Sequence, residues 1–94
     1  MENYTITMRI YTELGKEHIY NIDYYHIEDK NLTVHSTKQD DDIFSTIKCG
    51  GPCYISLSSC GNKYEFYKEC CLNNCLIKNN SITFKSLDNH SCRR

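Results

Sequence analysis

Tryptophan is absent from this chain of 94 residues, proline occurs once, and the first 48 residues contain no cysteine. A single proline rules out a Pro-rich linker, and no repeat or low-complexity tract divides the chain, so residues 1–94 read as one domain. No sign of charge dominates either. Eleven Lys and Arg stand against 12 Asp and Glu, a formal charge of −1, which gives no field to draw the chain to nucleic acid or anionic lipid. The longest apolar runs are a few residues, against the roughly 20 that a membrane-spanning helix needs. Catalytic signatures are missing as well: there is no glycine-rich phosphate cradle and no Ser-centred nucleophile elbow. Asp40-Asp41-Asp42 lacks the glycine and spaced oxygen ligands of a calcium loop. His18, His26, His35 and His90 offer bases for a nucleophilic cysteine, but no spacing selects a pair. These absences lead to the expectation of a protein that is not an enzyme.

A domain of this length buries only about 60 to 65 per cent of the surface its unfolded chain exposes. Its total stability is expected on the order of 5 to 14 kcal/mol, so a metal or a few disulfides would weigh heavily. The N-terminus, Met1-Glu2-Asn3-Tyr4, has neither the basic start nor the apolar stretch of a secretory signal, which predicts a cytoplasmic chain. Four Asn-x-Ser/Thr triplets, at Asn3, Asn31, Asn79 and Asn89, point the other way. If Met1 replaces a removed signal, the expected location becomes secreted.

What is present begins with a period of two. Tyr4, Ile6, Met8 and Ile10 alternate with Thr5, Thr7 and Arg9, the pattern of a half-buried strand. Leu14-Gly15-Lys16 marks a turn. Ile19 to Ile27 reads as a second strand whose parity slips, as at a bulge, and Leu32 to Ser36 as a third after the polar turn Glu28 to Asn31. Residues 4–36 are therefore expected to form a three-stranded meander. Ile43, Phe44 and Ile47 fall at helical spacing with Asp42 placed as a cap, although a strand there is also compatible. Tyr54 to Ser59 reads as a strand and Gly61-Asn62 as a turn. In residues 63–75, Tyr64 and Phe66 alternate like a strand, while Phe66, Tyr67, Cys70 and Cys71 would also share a helix face. Leu76-Ile77 and Ile82 to Phe84 flank Asn79-Asn80 as a tight hairpin. The expected class is mainly β, a small antiparallel sheet, barrel-like or sandwich, with Cys-rich C-terminal hairpins. The alternative is α+β with short helices near 43–48 and 63–72.

All seven cysteines lie in the segment 49–92, where average composition would put about one or two in the whole chain. Cys49 with Cys53 and Cys71 with Cys75 form two turns of equal spacing, able to set four thiolates about 2.3 Å from one structural zinc. Gly50 and Gly51 would suit the knuckle of such a site. Disulfides are a second expectation, with 15 connectivities for any six of the cysteines, and core thiols with no chemistry are a third.

Eight tyrosines supply most of the aromatic area. Tyr11, Tyr25 and Tyr67 fall opposite the main apolar set of their strands and are the candidate partner-binding residues, because tyrosine joins a large apolar face to a polar tip. The expected function is a small non-enzymatic protein-binding module that occupies a surface on a larger protein. Short chains of this kind serve as inhibitors or accessory factors of viral or phage type, including those aimed at nucleic-acid defence machinery. Two other functions fit the cysteines: a zinc-stabilised nucleic-acid-binding module, or a secreted disulfide-stapled scaffold.

Overall fold

The computed structural model describes residues 6–37, 41–59, 65–87 and Cys92. Tyr4, Cys60, the Gly61-Asn62 turn, Tyr64 and His90, like the triplets at Asn3 and Asn89, lie outside the described residues. Among the described residues seven strands and one helix follow in the order β1 (Ile6–Thr12), β2 (Glu17–Ile22), β3 (Tyr24–Glu28), β4 (Asn31–His35), α1 (Asp41–Lys48), β5 (Pro52–Ser59), β6 (Glu65–Lys78) and β7 (Ser81–Ser86). All pairings are antiparallel and make one mainly β sheet of order β2-β1-β5-β6-β7-β4-β3, which is not closed.

Local chemistry explains the hairpins. Asp29 and Lys30 both take positive φ, 54° and 68°, between the paired residues Glu28 and Asn31. Such a two-residue primed turn matches the twist of the strands it joins. Asn79-Asn80 turns the expected β6–β7 hairpin between Lys78 and Ser81 without left-handed backbone. Gly15, at φ 84°, lets Thr12 N donate to Lys16 O at 3.0 Å in the β1–β2 turn.

The stretch expected as the second strand of a meander keeps its two neighbours but breaks at Asp23. Its first part, β2, pairs with β1, and its second part, β3, pairs with β4. β2 and β3 thus lie at opposite ends of the sheet order while joined by one residue, so the sheet must curl until its two ends meet at that corner. Asp23 fastens the bend: its N–H donates to His35 O at 2.8 Å and its Oδ2 accepts from Thr37 N at 2.9 Å.

Curling turns one face of the sheet inward. Met8, Ile10, Tyr20, Ile22, Leu32, Val34, Ile55, Leu57, Cys70, Leu72, Ile82 and Phe84 form one buried cluster, with alternate residues facing out. The second expected helix, near 63–72, is corrected: Cys70 and Leu72 point to the core while Tyr67 and Glu69 face solvent, because β5 supplies ladder partners along that run. Further on, Leu72 to Cys75 stand opposite the single residue Phe84 of β7, a bulge that bends β6 between its two partners. The helix near 43–48 is present and closes the interior through Ile43, Phe44 and Ile47. Tyr20 ties it to β2, its hydroxyl donating to Asp42 Oδ2 at 3.1 Å and lying 2.8 Å from Thr46 Oγ1. Among the described residues no helix is long and apolar enough to cross a membrane.

Candidate functional site

The thiols are divided by the pleat of the strands that carry them. Cys53 and Cys70 are register partners on β5 and β6, both facing the core, and Cys75 lies in the β6 bulge beside them. Burial pushes all three thiols up to about 12, with their mutual proximity adding to the effect at Cys53 and Cys70. Cys75 Sγ is also satisfied by backbone, 3.3 Å from Leu72 O. Cys71, one position on from Cys70, faces the other way and is bonded to Cys92. Cys49 is exposed at the end of α1, 3.6 Å from Ser45 O.

Cys49, Cys53, Cys71 and Cys75 are thus not gathered into one ligand set: Cys71 is spent in a disulfide, Cys53 faces the core and Cys49 faces solvent. Among the described residues no group of three His, Cys, Asp or Glu is arranged to hold a metal ion. Gly50 and Gly51 answer to the backbone instead. At φ 68° and 87° they end α1 and lead into β5, with Gly50 N donating to Ile47 O at 3.0 Å.

The outward face of β2, β1, β5 and β6 carries the tyrosines. The register sets Glu17, Tyr11, Tyr54 and Glu69 side by side in one row across the strands, and Ile19, Arg9, Ser56 and Tyr67 in the next. Tyr11, Tyr54, Tyr67 and Ile19 are 38%, 52%, 59% and 56% exposed. Ser56, between Arg9 and Tyr67, is buried despite lying on this outer face. The phenols are held by carboxylates. Tyr54 OH donates to Glu69 Oε2 at 2.9 Å and Tyr11 donates to Glu17, and these hydrogen bonds raise both tyrosines above their ordinary pKa. Arg9 pairs with Glu17 at 3.4 Å. Tyr11, Glu13, Pro52, Tyr54, Glu69 and Leu87 line a groove of about 300 Å³ along one side of the face.

Of the tyrosines singled out from sequence, Tyr11 and Tyr67 share this surface and Tyr25 does not. The break at Asp23 reverses the inward parity, so Tyr25 is half-buried against the core, its ring centroid 6.0 Å from Phe66, and Tyr24 is the exposed residue. Tyr54 was the omission. It precedes Ile55 and stands opposite the Ile55 and Leu57 set, so the rule that selects Tyr11 and Tyr67 selects it too. Comparison with protein-family models, curated proteins and solved structures finds no match to this chain.

Proposed function

We propose that this chain is a small non-enzymatic protein-binding module, and that it acts by covering a surface on a larger protein with the outward face of β2, β1, β5 and β6. The observation that carries the reading is the Tyr11–Tyr54–Tyr67 group, exposed on three adjacent strands with two of its phenols pinned by Glu17 and Glu69. Pinned aromatics lose little entropy on binding and bury large apolar areas. Glu13, Glu17 and Glu69 outnumber Arg9 around them, which favours a partner patch that mixes apolar area with Lys or Arg. An inhibitor or accessory factor, of the viral or phage kind, is the role that suits so small a surface-covering domain.

The test compares the intact chain with the triple variant Tyr11→Ser, Tyr54→Ser, Tyr67→Ser as bait, with circular dichroism to verify the sheet. A partner retained by the first and lost by the second is the expected outcome. A partner held equally by both places the contact surface elsewhere.

A second reading has its own support. The Cys71–Cys92 disulfide favours a binding scaffold of an oxidising compartment, and Asn79, in the exposed β6–β7 turn, would then be an accessible glycan acceptor. The two readings differ in compartment, not in the face used.

A further inference from the structure

We propose that His26 and His35 form a two-histidine site for a divalent ion of the imidazole-seeking class, Zn²⁺, Ni²⁺ or Cu²⁺. The site lies on the outward face of β3, β4 and β7, in the other half of the sheet from the tyrosines. His26 stands opposite Thr33 and His35 opposite Tyr24 across the β3–β4 hairpin, so the two imidazoles are diagonal neighbours on one face. Diagonal pairs lie within reach of such long side chains. His26 Nδ1 and His35 Nε2 are 3.4 Å apart. A tetrahedral ion with bonds of about 2.0 to 2.1 Å requires its two nitrogen ligands to stand about 3.3 to 3.4 Å apart, which is the separation already present.

Each ring is flanked by a neighbour. Tyr24 stacks on His35 with centroids 4.2 Å apart and planes 10° from parallel. Glu28, two residues along the same strand, faces the far nitrogen of His26, its Oε1 4.0 Å from Nε2. In the tautomer that carries its proton on Nε2, His26 turns its Nδ1 lone pair towards His35, as ligation requires, and the Glu28 carboxylate adds negative charge beside the site. Without an ion the two facing nitrogens share a hydrogen bond whose donor is set by the tautomer; to ligate through Nε2, His35 carries its proton on Nδ1, which frees the Nε2 lone pair for the ion.

The surroundings suit a hydrated ion. His26 and His35 border a groove of about 350 Å³ whose lining includes Glu28, Asp29, Lys78 and Thr83. Its two carboxylates offset the Lys78 ammonium. Two protein nitrogens leave the remaining coordination positions to water, so this is an open site and not a structural one. Imidazole ligands select these borderline ions over Mg²⁺ and Ca²⁺, which favour oxygen.

The full chain is titrated calorimetrically with Ni²⁺ and with Zn²⁺, beside the variants His26→Gln, His35→Gln and Cys49→Ser. One ion per chain is expected, bound about tenfold or more weaker by either histidine variant and unchanged by Cys49→Ser, with no response to Mg²⁺. Zn²⁺ added to the wild-type chain should shift the imidazole C–H resonances of His26 and His35 and leave those of His18 in place, a readout independent of how the variants fold. Unchanged affinity in both histidine variants, loss of binding in Cys49→Ser alone, or resonances that do not move would overturn the assignment.

Discussion

Cys53, Cys70 and Cys75 show how one residue type acquires opposite characters within a few ångströms. Cys71, on the opposite side of β6 from Cys70, is buried as well but oxidised, whereas these three remain thiols, and burial raises each to about 12. A thiol with that affinity for its proton is no thiolate at neutral pH, and so no nucleophile. The same shift has a consequence for stability. The unfolded thiols ionise near 9 and the folded ones near 12, so above pH 9 the unfolded chain binds fewer protons and stability must fall. Below the unfolded value the stabilisation is complete, and it is lost progressively as pH rises towards 12. Each thiol contributes a slope of at most about 1.4 kcal/mol per pH unit. Urea unfolding between pH 8 and 10.5 should therefore show a steep alkaline decline that is shallower in Cys70→Ala. An identical slope in that variant would mean that Cys70 is not a buried thiol.

Between elements, the junction of α1 with β5 is where backbone and side chain constrain each other most tightly. Gly50 sits at positive φ, and a Cβ there would run into Asn73 Oδ1, the atom that accepts from Gly51 N at 3.2 Å and so ties the β6 bulge to the junction. Gly15 also has positive φ but opens on empty space. Gly15→Ala should therefore cost only the left-handed backbone, about 1 to 2 kcal/mol, and Gly50→Ala should cost that plus the displaced hydrogen bond, about 2 to 4 kcal/mol in all. Equal urea midpoints for the two variants would show that Asn73 is not held against Gly50.

The junction also marks what the chain reveals in advance. Period two in Ile6 to Ile10 and in Tyr54 to Leu57, and helical spacing in Ile43 to Ile47, are local signals, and each element formed where its pattern lay. The break at Asp23 was visible only as slipped parity, because what makes it a corner is hydrogen bonding to His35 and Thr37, partners distant in sequence. The tyrosine face was half legible for a similar reason. Parity within a strand selects Tyr11 and Tyr67, but only the register across β1, β5 and β6 brings them beside Tyr54. The pairing of Cys71 with Cys92 depends on which face of β6 Cys71 occupies, and spacing carries no information about that.

For the molecule as a whole, the open sheet order leaves the fold without the continuous ladder of a closed barrel; the Asp23 corner and the helix fastened through Tyr20 hold the curl, and the Cys71–Cys92 bridge ties the chain after β7 to β6. The bridge closes a loop with a sequence separation of 21, for which chain entropy predicts roughly 3 kcal/mol. Against a total on the order of 5 to 14 kcal/mol, that is a large share but not the whole. The β1–β2, β1–β5 and β3–β4 ladders pass none of their pairings through Cys71, so the sheet and the tyrosine face should outlast the bridge. Cys92→Ser is the cleaner removal, since Cys71 is fully buried and a serine in its place would add the cost of a buried hydroxyl. The variant should unfold in a single cooperative transition about 3 kcal/mol less stable than the oxidised chain, and reductant should bring the wild type to nearly the same midpoint. If neither change moves the midpoint, the bridge does not restrain the fold in solution, and the reading of the chain as a product of an oxidising compartment loses its support.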